Sequence, residues 1–200
     1  MVNLVIVDAG GANLGSVRYA FERLGVEPTL SSDPVVIAAA SHVLLPGVGT
    51  AAPAMARLRA LDLVECLRAL QQPLLGICLG MQLLFEHSEE GDVECLGRLP
   101  GRVRRLSGGD GLRVPHMGWN CLQPRRESPL LDGIAQGAQA YFVHSYAAPV
   151  SPDCVAACDH GGAFAAIVQR GNVMGAQFHP ERSAAVGARL LSNFISGGKA

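Results

Sequence analysis

One cysteine lies between two glycines where an apolar run meets a predicted amphipathic helix. The stretch is PLLGICLGMQLLFE, residues 73–86, and Cys78 has Gly76 and Gly80 two positions to either side. Strand, G-x-C-x-G and helix together are the sequence form of a nucleophile elbow, in which the glycines leave room for a tight turn. The start of a helix favours a thiolate, and the N–H of Leu79 can point at a developing oxyanion. A buried structural cysteine in a glycine-rich turn would give the same pattern.

A thiolate nucleophile needs a general base, and His179 is the candidate among the six histidines. Its stretch is GAQFHPERS, residues 175–183, in which Pro180 favours an extended His179. In an extended segment His179 and Glu181 project to the same side, so the carboxylate can orient the imidazole. The same residues also fit an ordinary helix start, with proline first and a glutamate near the N-terminus. Together with the elbow cysteine, the pair is more specific than either motif alone.

The loop PGVGT, residues 46–50, follows a predicted strand and offers a second backbone donor. Val48 lies there between two glycines, at the edge where parallel sheets bind ligands. A phosphate-binding P-loop would continue with Lys-Ser or Lys-Thr, which this loop does not. The stretch DAGGANLG, residues 8–15, has Ala12 where a dinucleotide fingerprint needs its middle glycine. We therefore expect an acyl-transfer loop at residues 46–50 and only a tight turn at residues 10–15.

Alternating strands and helices must position these residues in the first half of the chain. Apolar runs predict strands at VNLVIV, VEPTL, HVLL and PLLGI, with VEPTL at a sheet edge because it contains proline. Helices are predicted from the cap Asn13 to Gly25, after the cap Asp33 over residues 34–40, over residues 53–70 and after Cys78. This alternation predicts a parallel sheet with helices on both faces.

After His87 short strands dominate. They are GRVRRL, LRVPHMGW, QAYFVHSY, CVAACDH, AFAAIVQ and NVMGAQF, separated by Gly, Pro and Asp, and a final helix covers residues 183–195. The predicted fold class is α/β, with a mostly parallel central sheet, helices on both faces and an antiparallel strand-rich addition in the second half. We expect residues 1–200 to form a single domain.

The composition excludes several classes of function. The 200 residues are 49% hydrophobic and 16% charged, with a net charge of −1, so nothing favours nucleic acid or an anionic membrane. Neither a signal peptide nor a membrane span is visible, and we expect a cytoplasmic protein. Cys154 and Cys158 lack the usual metal spacing and are typical of small apolar strand residues. We expect no metal and no organic cofactor.

The motifs PGVGT, GICLGMQLLFE and QFHPE, in this order, resemble those of the triad glutamine amidotransferases. Three more stretches are similar to the glutaminase subunits of imidazole glycerol phosphate synthases: NLGSV, VPHMGWN and YFVHSY, at residues 13–17, 114–120 and 141–146. The resemblance covers nearly the whole chain. One departure is Ala9, where many relatives carry an aromatic residue, and it concerns packing near the subunit interface rather than the chemistry.

The resemblance implies a role for each catalytic candidate. Cys78 would attack the side-chain amide of L-glutamine and form a thioester, and His179 would protonate the departing ammonia and then activate water. Glu181 would orient His179, and the N–H groups of Val48 and Leu79 would bind the oxyanion. The glutamine-binding set that it implies is Gly49, Gln82, Ser145 and Tyr146. Glu90 would receive the α-amino group of the substrate. It has less support than the other binding residues, because the neighbouring Glu89 could be the matching residue instead.

The resemblance also implies a partner, the cyclase subunit of imidazole glycerol phosphate synthase, in a heterodimer. That cyclase would use the ammonia in histidine biosynthesis, making imidazole glycerol phosphate and an aminoimidazole carboxamide ribotide. His116, Trp119 and Tyr141 would lie toward the partner, whereas His144 is more typical of a core or interface histidine. The arginines of GRVRR indicate a solvated strand face. We expect the isolated chain to be nearly inactive, with the donor near Val48 misaligned until the partner binds.

Three alternative functions stay open at this point. The glutaminase subunit of another amidotransferase, such as anthranilate synthase, would share the elbow and the His-Pro-Glu motif. A cysteine peptidase or esterase on a similar sheet would share the nucleophile and the base. A non-catalytic interaction module would not need an intact Cys78, His179 and Glu181, which argues against it.

Overall fold

Strands and helices alternate up to residue 82, and strands predominate after it. The computed structural model describes residues 2–10, 14–108 and 111–197, so the predicted cap Asn13 and part of the predicted turn at residues 10–15 lie outside the described residues. The helices are α1 (Leu14–Glu22), α2 (Pro34–Ala38), α3 (Ala51–Ala60), α4 (Leu63–Ala69), α5 (Leu79–Gln82) and α6 (Ala184–Ser196), with 3-10 helices at Pro129–Leu131 and Pro180–Arg182. The strands are β1 (Leu4–Val7), β2 (Thr29–Ser31), β3 (His42–Gly47), β4 (Leu74–Cys78), β5 (His87–Ser88), β6 (Val93–Glu94), β7 (Arg102–Arg105), β8 (His116–Cys121), β9 (Gln123–Pro124), β10 (Gln139–His144), β11 (Tyr146–Ala147), β12 (Cys154–Asp159), β13 (Ala163–Arg170) and β14 (Val173–Ala176).

The largest sheet has eight strands in the order β2-β1-β3-β4-β14-β13-β12-β9. Pairing is parallel from β2 to β14 and antiparallel from β14 to β9. Strands β8 and β10 form an antiparallel pair, and β11, β7, β5 and β6 form a small mixed sheet. The predicted fold class is therefore confirmed, including the edge position of β2.

Side-chain alternation along the parallel strands builds a core on each face of the sheet. In β1, Val5 and Val7 pack into the cluster that contains the buried residues of α2, α3 and α4. Leu4 and Ile6 pack on the opposite face with α1 and α6. Successive side chains of a strand point to opposite faces, so a continuous apolar run requires helices on both sides.

One helix prediction was wrong in length and a second was wrong in character. The helix predicted over residues 53–70 is divided into α3 and α4, because Asp62 adopts a left-handed conformation with φ 56° that an α-helix does not continue through. The break leaves Leu58 and Leu63, on either side of it, buried. The helix after Cys78 is only four residues long, and it is wholly buried rather than amphipathic.

One strand of the second half belongs to the parallel core. The sequence pattern grouped NVMGAQF with the antiparallel additions, but β14 pairs in parallel with β4 and is antiparallel only to β13. Two other sequence predictions agree with the structure. Asp33 caps α2 through a 2.8 Å bond from the Val35 N–H, and the arginines of β7 are exposed.

Cys154 and Cys158 are buried in β12, as expected of small apolar residues. Burial raises the pKa of the Cys154 thiol to about 11 and that of Cys158 to about 12. Within residues 2–10, 14–108 and 111–197, no cluster of His, Cys, Asp and Glu side chains is arranged to hold a metal ion. Among these residues there is also no helix with the length and apolar character that crossing a bilayer requires.

Candidate active site

Three neighbouring parallel strands end at the same edge of the main sheet. Strand β4 lies between β3 and β14, and Gly47 at the end of β3 pairs with Cys78 at the end of β4. The loop with Val48 follows β3, and His179 follows β14 after two residues. The carboxyl ends of parallel strands are where such sheets place ligands, and the topology brings the three predicted motifs to that edge.

Cys78 has the backbone of a strained turn between β4 and α5. Its φ is 52° and its ψ −112°, a conformation that side-chain-bearing residues rarely adopt and that costs on the order of 1–3 kcal/mol. The flanking glycines make the turn possible. A Cβ on Gly80 would lie 1.8 Å from the Leu45 carbonyl oxygen, and one on Gly76 would lie 2.6 Å from the Gly80 carbonyl oxygen. The short helix therefore packs backbone against backbone on β3 and β4, which holds the thiol at the sheet edge.

His179 and Glu181 are in direct contact. The imidazole Nδ1 lies 2.9 Å from Glu181 Oε1, and both side chains are largely buried. His179 is extended, with φ −97° and ψ 98°, as Pro180 predicts. The predicted extended backbone at Glu181 was wrong, because residues 180–182 form a 3-10 helix that carries the carboxylate back to the ring. The structure thus combines the extended histidine with the helix start that the sequence offered as an alternative.

Buried backbone contacts hold His179 in place. Its N–H donates to the Tyr141 carbonyl at 2.9 Å. The Ser183 hydroxyl donates to the His179 carbonyl at 2.7 Å and accepts from the Tyr141 N–H at 2.9 Å. Ser183 is fully buried, and no motif in the sequence singled it out. It ties the histidine to β10 and thereby to the surface formed by β8 and β10.

The charge state of His179 is set by two partners against its burial. Burial by itself lowers the pKa of His179, but hydrogen bonding and charge interactions with Cys78 and Glu181 raise that pKa to about 10. The imidazole is therefore protonated at neutral pH, where it can stabilise a thiolate and later supply a proton.

A cavity of about 290 Å³ opens in front of Cys78. Every predicted site residue lines it except Glu181, which contacts His179 instead. Pro115, Val143 and His144 also line it, and no sequence spacing indicated them. The lining residues are Val48, Gly49, Cys78, Leu79, Gln82, Glu90, Pro115, Val143, His144, Ser145, Tyr146 and His179.

The structure distinguishes the two glutamates that the sequence left open. Glu90 lines the cavity, and its Oε2 accepts from the Ala51 N–H at 3.0 Å. Burial raises the pKa of Glu90, although the bond from Ala51 opposes this shift. Glu89 instead accepts from the Arg105 N–H at 3.0 Å. A substrate ammonium in the cavity would therefore meet the carboxylate of Glu90.

Two histidines extend the site away from the nucleophile. His144 lies in the cavity wall, and its Nδ1 is 2.9 Å from the Tyr146 carbonyl oxygen. Its Nε2 lies 3.1 Å from Nδ1 of the buried His116. Burial lowers the pKa of His144 to about 3 and that of His116 to about 4, so both rings are neutral at neutral pH. His144, which the sequence assigned to core or interface, thus borders the cavity.

An exposed apolar surface adjoins these histidines on β8 and β10. Met117 and Trp119 are 65% and 52% exposed. The Trp119 ring meets Tyr141 edge-on at 5.9 Å, and the Arg182 guanidinium lies 4.6 Å from the centre of the Tyr141 ring. Clustered exposed aromatic and Met side chains with an arginine are typical of a protein–protein interface.

Comparisons with known proteins identify the family of this chain. The profile of the family "Glutamine amidotransferase class-I" matches residues 5–196. The chain is 66% identical over 195 residues to the imidazole glycerol phosphate synthase subunit HisH of Xanthomonas euvesicatoria pv. vesicatoria, covering 98% of each chain. It is 65% identical, with the same coverage, to the subunit of that name from Xylella fastidiosa.

Solved structures show the same fold at low sequence identity. One is described as a glutamine amidotransferase and superposes with a TM-score of 0.76 at 18% identity, over 98% of each chain. Another is a glutamine amidotransferase from Thermotoga maritima, with a TM-score of 0.61 at 18% identity, covering 98% of this chain and 81% of that one. From the family match and the full-length identity to its relatives, the chain belongs to the class-I glutamine amidotransferases and, within them, to the HisH subunits of imidazole glycerol phosphate synthase.

Proposed function

We propose that this chain hydrolyses L-glutamine to glutamate and ammonia as the glutaminase subunit of imidazole glycerol phosphate synthase, in histidine biosynthesis. The convergence of a strained cysteine and a protonated histidine on one cavity, with the buried Glu181 bonded to that histidine, carries the proposal. Identity of 65–66% over the whole length of HisH subunits supports this subunit over the anthranilate synthase alternative.

In the first half of the reaction, the thiolate of Cys78 attacks the carbon of the substrate's side-chain amide. The carbonyl π electrons move to oxygen, and the N–H groups of Val48 and Leu79 stabilise the resulting oxyanion. The C–N bond then breaks as His179 transfers its proton to the nitrogen, which gives ammonia and a Cys78 thioester. The carboxylate of Glu181 holds the ring through Nδ1, so that the other ring nitrogen stays directed to the reacting atoms.

The second half regenerates the enzyme. The now neutral His179 removes a proton from water, and the hydroxide attacks the thioester carbon. Collapse of the second oxyanion breaks the C–S bond and restores the thiolate beside the imidazolium, and the product leaves as glutamate after its new carboxyl group loses a proton to water. Glu90 accepts the substrate ammonium, and Gly49, Gln82, Ser145 and Tyr146 form the rest of the binding wall.

A cyclase subunit is the proposed partner. Ammonia made in the cavity must reach a second active site without mixing with water, and the apolar surface of Met117, Trp119 and Tyr141 adjoins the catalytic histidine. Release into the cytoplasm would waste glutamine. The cytoplasmic location stays a prediction, for which six free cysteines are the supporting observation.

Substitution of the nucleophile tests the proposal. Cys78→Ser should abolish glutamine hydrolysis by the complex with the cyclase, while synthesis supplied with ammonium salt continues, because the partner consumes free ammonia. Cys66→Ser, at a half-buried cysteine on α4, is the matched control and should retain both activities. Glutaminase activity surviving in Cys78→Ser at the wild-type rate would refute the assignment. Cleavage of a peptide substrate by the wild-type chain would favour the peptidase alternative.

A further inference from the structure

The fully buried side chain of Gln177 approaches the nucleophile, and nothing in the mechanism above uses it. Gln177 follows β14, two residues before His179, and its Nε2 lies 3.9 Å from Cys78 Sγ. Hydrogen bonds to sulfur are long, and catalytic hydrogen bonds often shorten only when substrate binds. We propose that Gln177 is a further catalytic residue of this glutaminase, whose side-chain amide donates a hydrogen bond to the Cys78 thiolate; this inference rests on the proposed function.

The direction of that hydrogen bond depends on which end of the Gln177 amide faces the sulfur. Gln82 settles the question, because its Nε2 lies 2.8 Å from the Tyr146 carbonyl oxygen and 3.1 Å from Gln177 Oε1. A backbone carbonyl only accepts, so the end of Gln82 that faces Tyr146 must be the NH₂ group. Its second hydrogen then requires an oxygen on Gln177. The NH₂ group of Gln177 is thereby turned toward Cys78.

The histidine pair supports the same carbonyl from the other side. His144 Nδ1 lies 2.9 Å from the Tyr146 oxygen and therefore donates to it, which leaves Nε2 of the neutral ring as an acceptor. His116 Nδ1 donates to that Nε2, and Asn120 Nδ2 lies 3.2 Å from His116 Nε2. A continuous chain of polar groups thus runs from β8 to the nucleophile. Because each member has a fixed donor direction, the chain holds Gln177 in one orientation.

The sulfur of Cys78 has one neighbour that suits a thiol and another that suits a thiolate, and Gln177 is the one that suits the thiolate. A neutral thiol can donate to the Val143 carbonyl oxygen, which lies 3.8 Å from Sγ. A thiolate cannot donate and instead accepts, and the NH₂ group of Gln177 is a donor placed for it. Gln177 therefore stabilises the thiolate more than the thiol, in addition to the protonated His179.

The test measures the reactivity of Cys78 without substrate or partner. The full-length chain is treated with iodoacetamide at pH 7, and mass spectrometry of the Cys78 peptide gives its alkylation rate. Gln177→Leu removes the donor at similar volume and should slow Cys78 alkylation about tenfold, since hydrogen bonds to charged groups are the stronger class. Gln123→Leu, on the exposed edge strand β9, is the matched control and should react at the wild-type rate.

Two further variants keep the test decisive should Gln177→Leu not fold. Gln177→Glu keeps the acceptor for Gln82 but places a carboxylate oxygen beside the sulfur, and it should slow alkylation more than Gln177→Leu does. Gln82→Glu removes the donor that orients Gln177 and should also slow alkylation. Continued protection of the buried Cys154 and Cys158 from alkylation establishes that each variant is folded.

The results that would contradict the role of Gln177 can be distinguished from those that would contradict the proposed function. Wild-type alkylation of Cys78 in folded Gln177→Leu would overturn the role of Gln177. A Gln82→Glu variant with raised KM for glutamine but unchanged alkylation would overturn the orienting chain, since Gln82 would then act on substrate alone. Neither result touches the glutaminase assignment, which stands or falls with glutamine hydrolysis by Cys78→Ser.

Discussion

At the scale of single residues, the site depends on charges that stabilise one another in a buried place. His179 would be neutral if burial alone decided, and its protonated state depends on Cys78 and Glu181. Glu181 has a side chain only 5% exposed and one oxygen committed to Nδ1 of the ring. With Glu181 holding Nδ1, the ring can act as an acid in the first half-reaction and as a base in the second.

A pH profile should report the contribution of Glu181. The pKa of His179 is raised from the usual 6.5 to about 10, so the protonated ring persists at neutral pH and is lost as the pH rises through about 10. Glu181→Gln removes a charge that raises this pKa, and the alkaline limb of kcat/KM should move to lower pH. Measurement of glutaminase kcat/KM against pH, with the cyclase present, follows this shift.

Glu65→Gln serves as the control for charge alone, because the ion pair of Glu65 with Arg68 on α4 is exposed. Its alkaline limb should coincide with that of the wild type. His179→Ala should lower activity roughly 10²–10⁴-fold, the usual contribution of acid–base catalysis. An alkaline limb that stays in place in Glu181→Gln would show that the carboxylate does not set the charge of the ring.

At the scale of elements, the junction of β4 and α5 is a backbone contact that only glycine permits. A Cβ on Gly80 would lie 1.8 Å from the Leu45 carbonyl oxygen of β3. A Cβ on Gly47 would lie 2.6 Å from the Gly80 nitrogen. Since these neighbours are backbone atoms, no side-chain rearrangement can relieve a clash there. Backbone contacts therefore join the strand, the turn and the short helix, and they fix the position of Cys78.

Gly80→Ala should be destabilising for this reason. The added Cβ would lie 1.8 Å from the Leu45 oxygen and must displace α5, at a cost of about 1–3 kcal/mol in the free energy of unfolding, with loss of glutaminase activity. Gly15→Ala in α1 is the control, since its Cβ would meet only the Tyr19 ring at 3.9 Å and alanine is the better helix former. Urea unfolding of both variants measures the difference. Equal stability of Gly80→Ala and the wild type would contradict the backbone contact.

At the scale of the whole molecule, the catalytic edge and the exposed surface of β8 and β10 belong to one connected region. Tyr141 lies on that surface, and its backbone is bonded to both His179 and Ser183. The loop of Val48 lies on the other side of Cys78, and Gly49 within it has φ 91°, where a Cβ would meet nothing within 4 Å. A peptide reorientation in that loop is therefore sterically cheap, and a partner could bias it.

Partner binding should consequently control the turnover of glutamine. The chain alone should be nearly inactive and should gain roughly 10²–10³-fold with the cyclase and its nucleotide ligand, the usual value of one oxyanion donor. Glutaminase turnover is measured for the chain alone, with the cyclase, and with the cyclase and ligand. Gly49→Ala, which disfavours φ 91°, should change this activation while Cys78 alkylation stays at the wild-type rate. Equal glutaminase turnover in all three states would contradict the hypothesis that the partner controls this activity.

The sequence by itself determined the features that neighbouring residues encode. Alternating apolar strands and helices predicted the parallel sheet, G-x-C-x-G predicted the elbow at Cys78, and proline after His179 predicted its extended backbone. Each of these is a local preference of the chain, set by sterics within a few residues. Resemblance of ordered motifs then supplied the wall residues Gln82, Ser145 and Tyr146.

Tertiary structure alone decided which distant residues meet. It placed β14 beside β4, divided the long helix at Asp62, and chose Glu90 over Glu89 for the cavity. The polar chain that orients Gln177 joins residues 64 and 95 positions apart, and no periodicity links them. Hydrogen-bond partners of buried side chains follow from strand order and packing, because every buried donor must find an acceptor wherever the fold brings one.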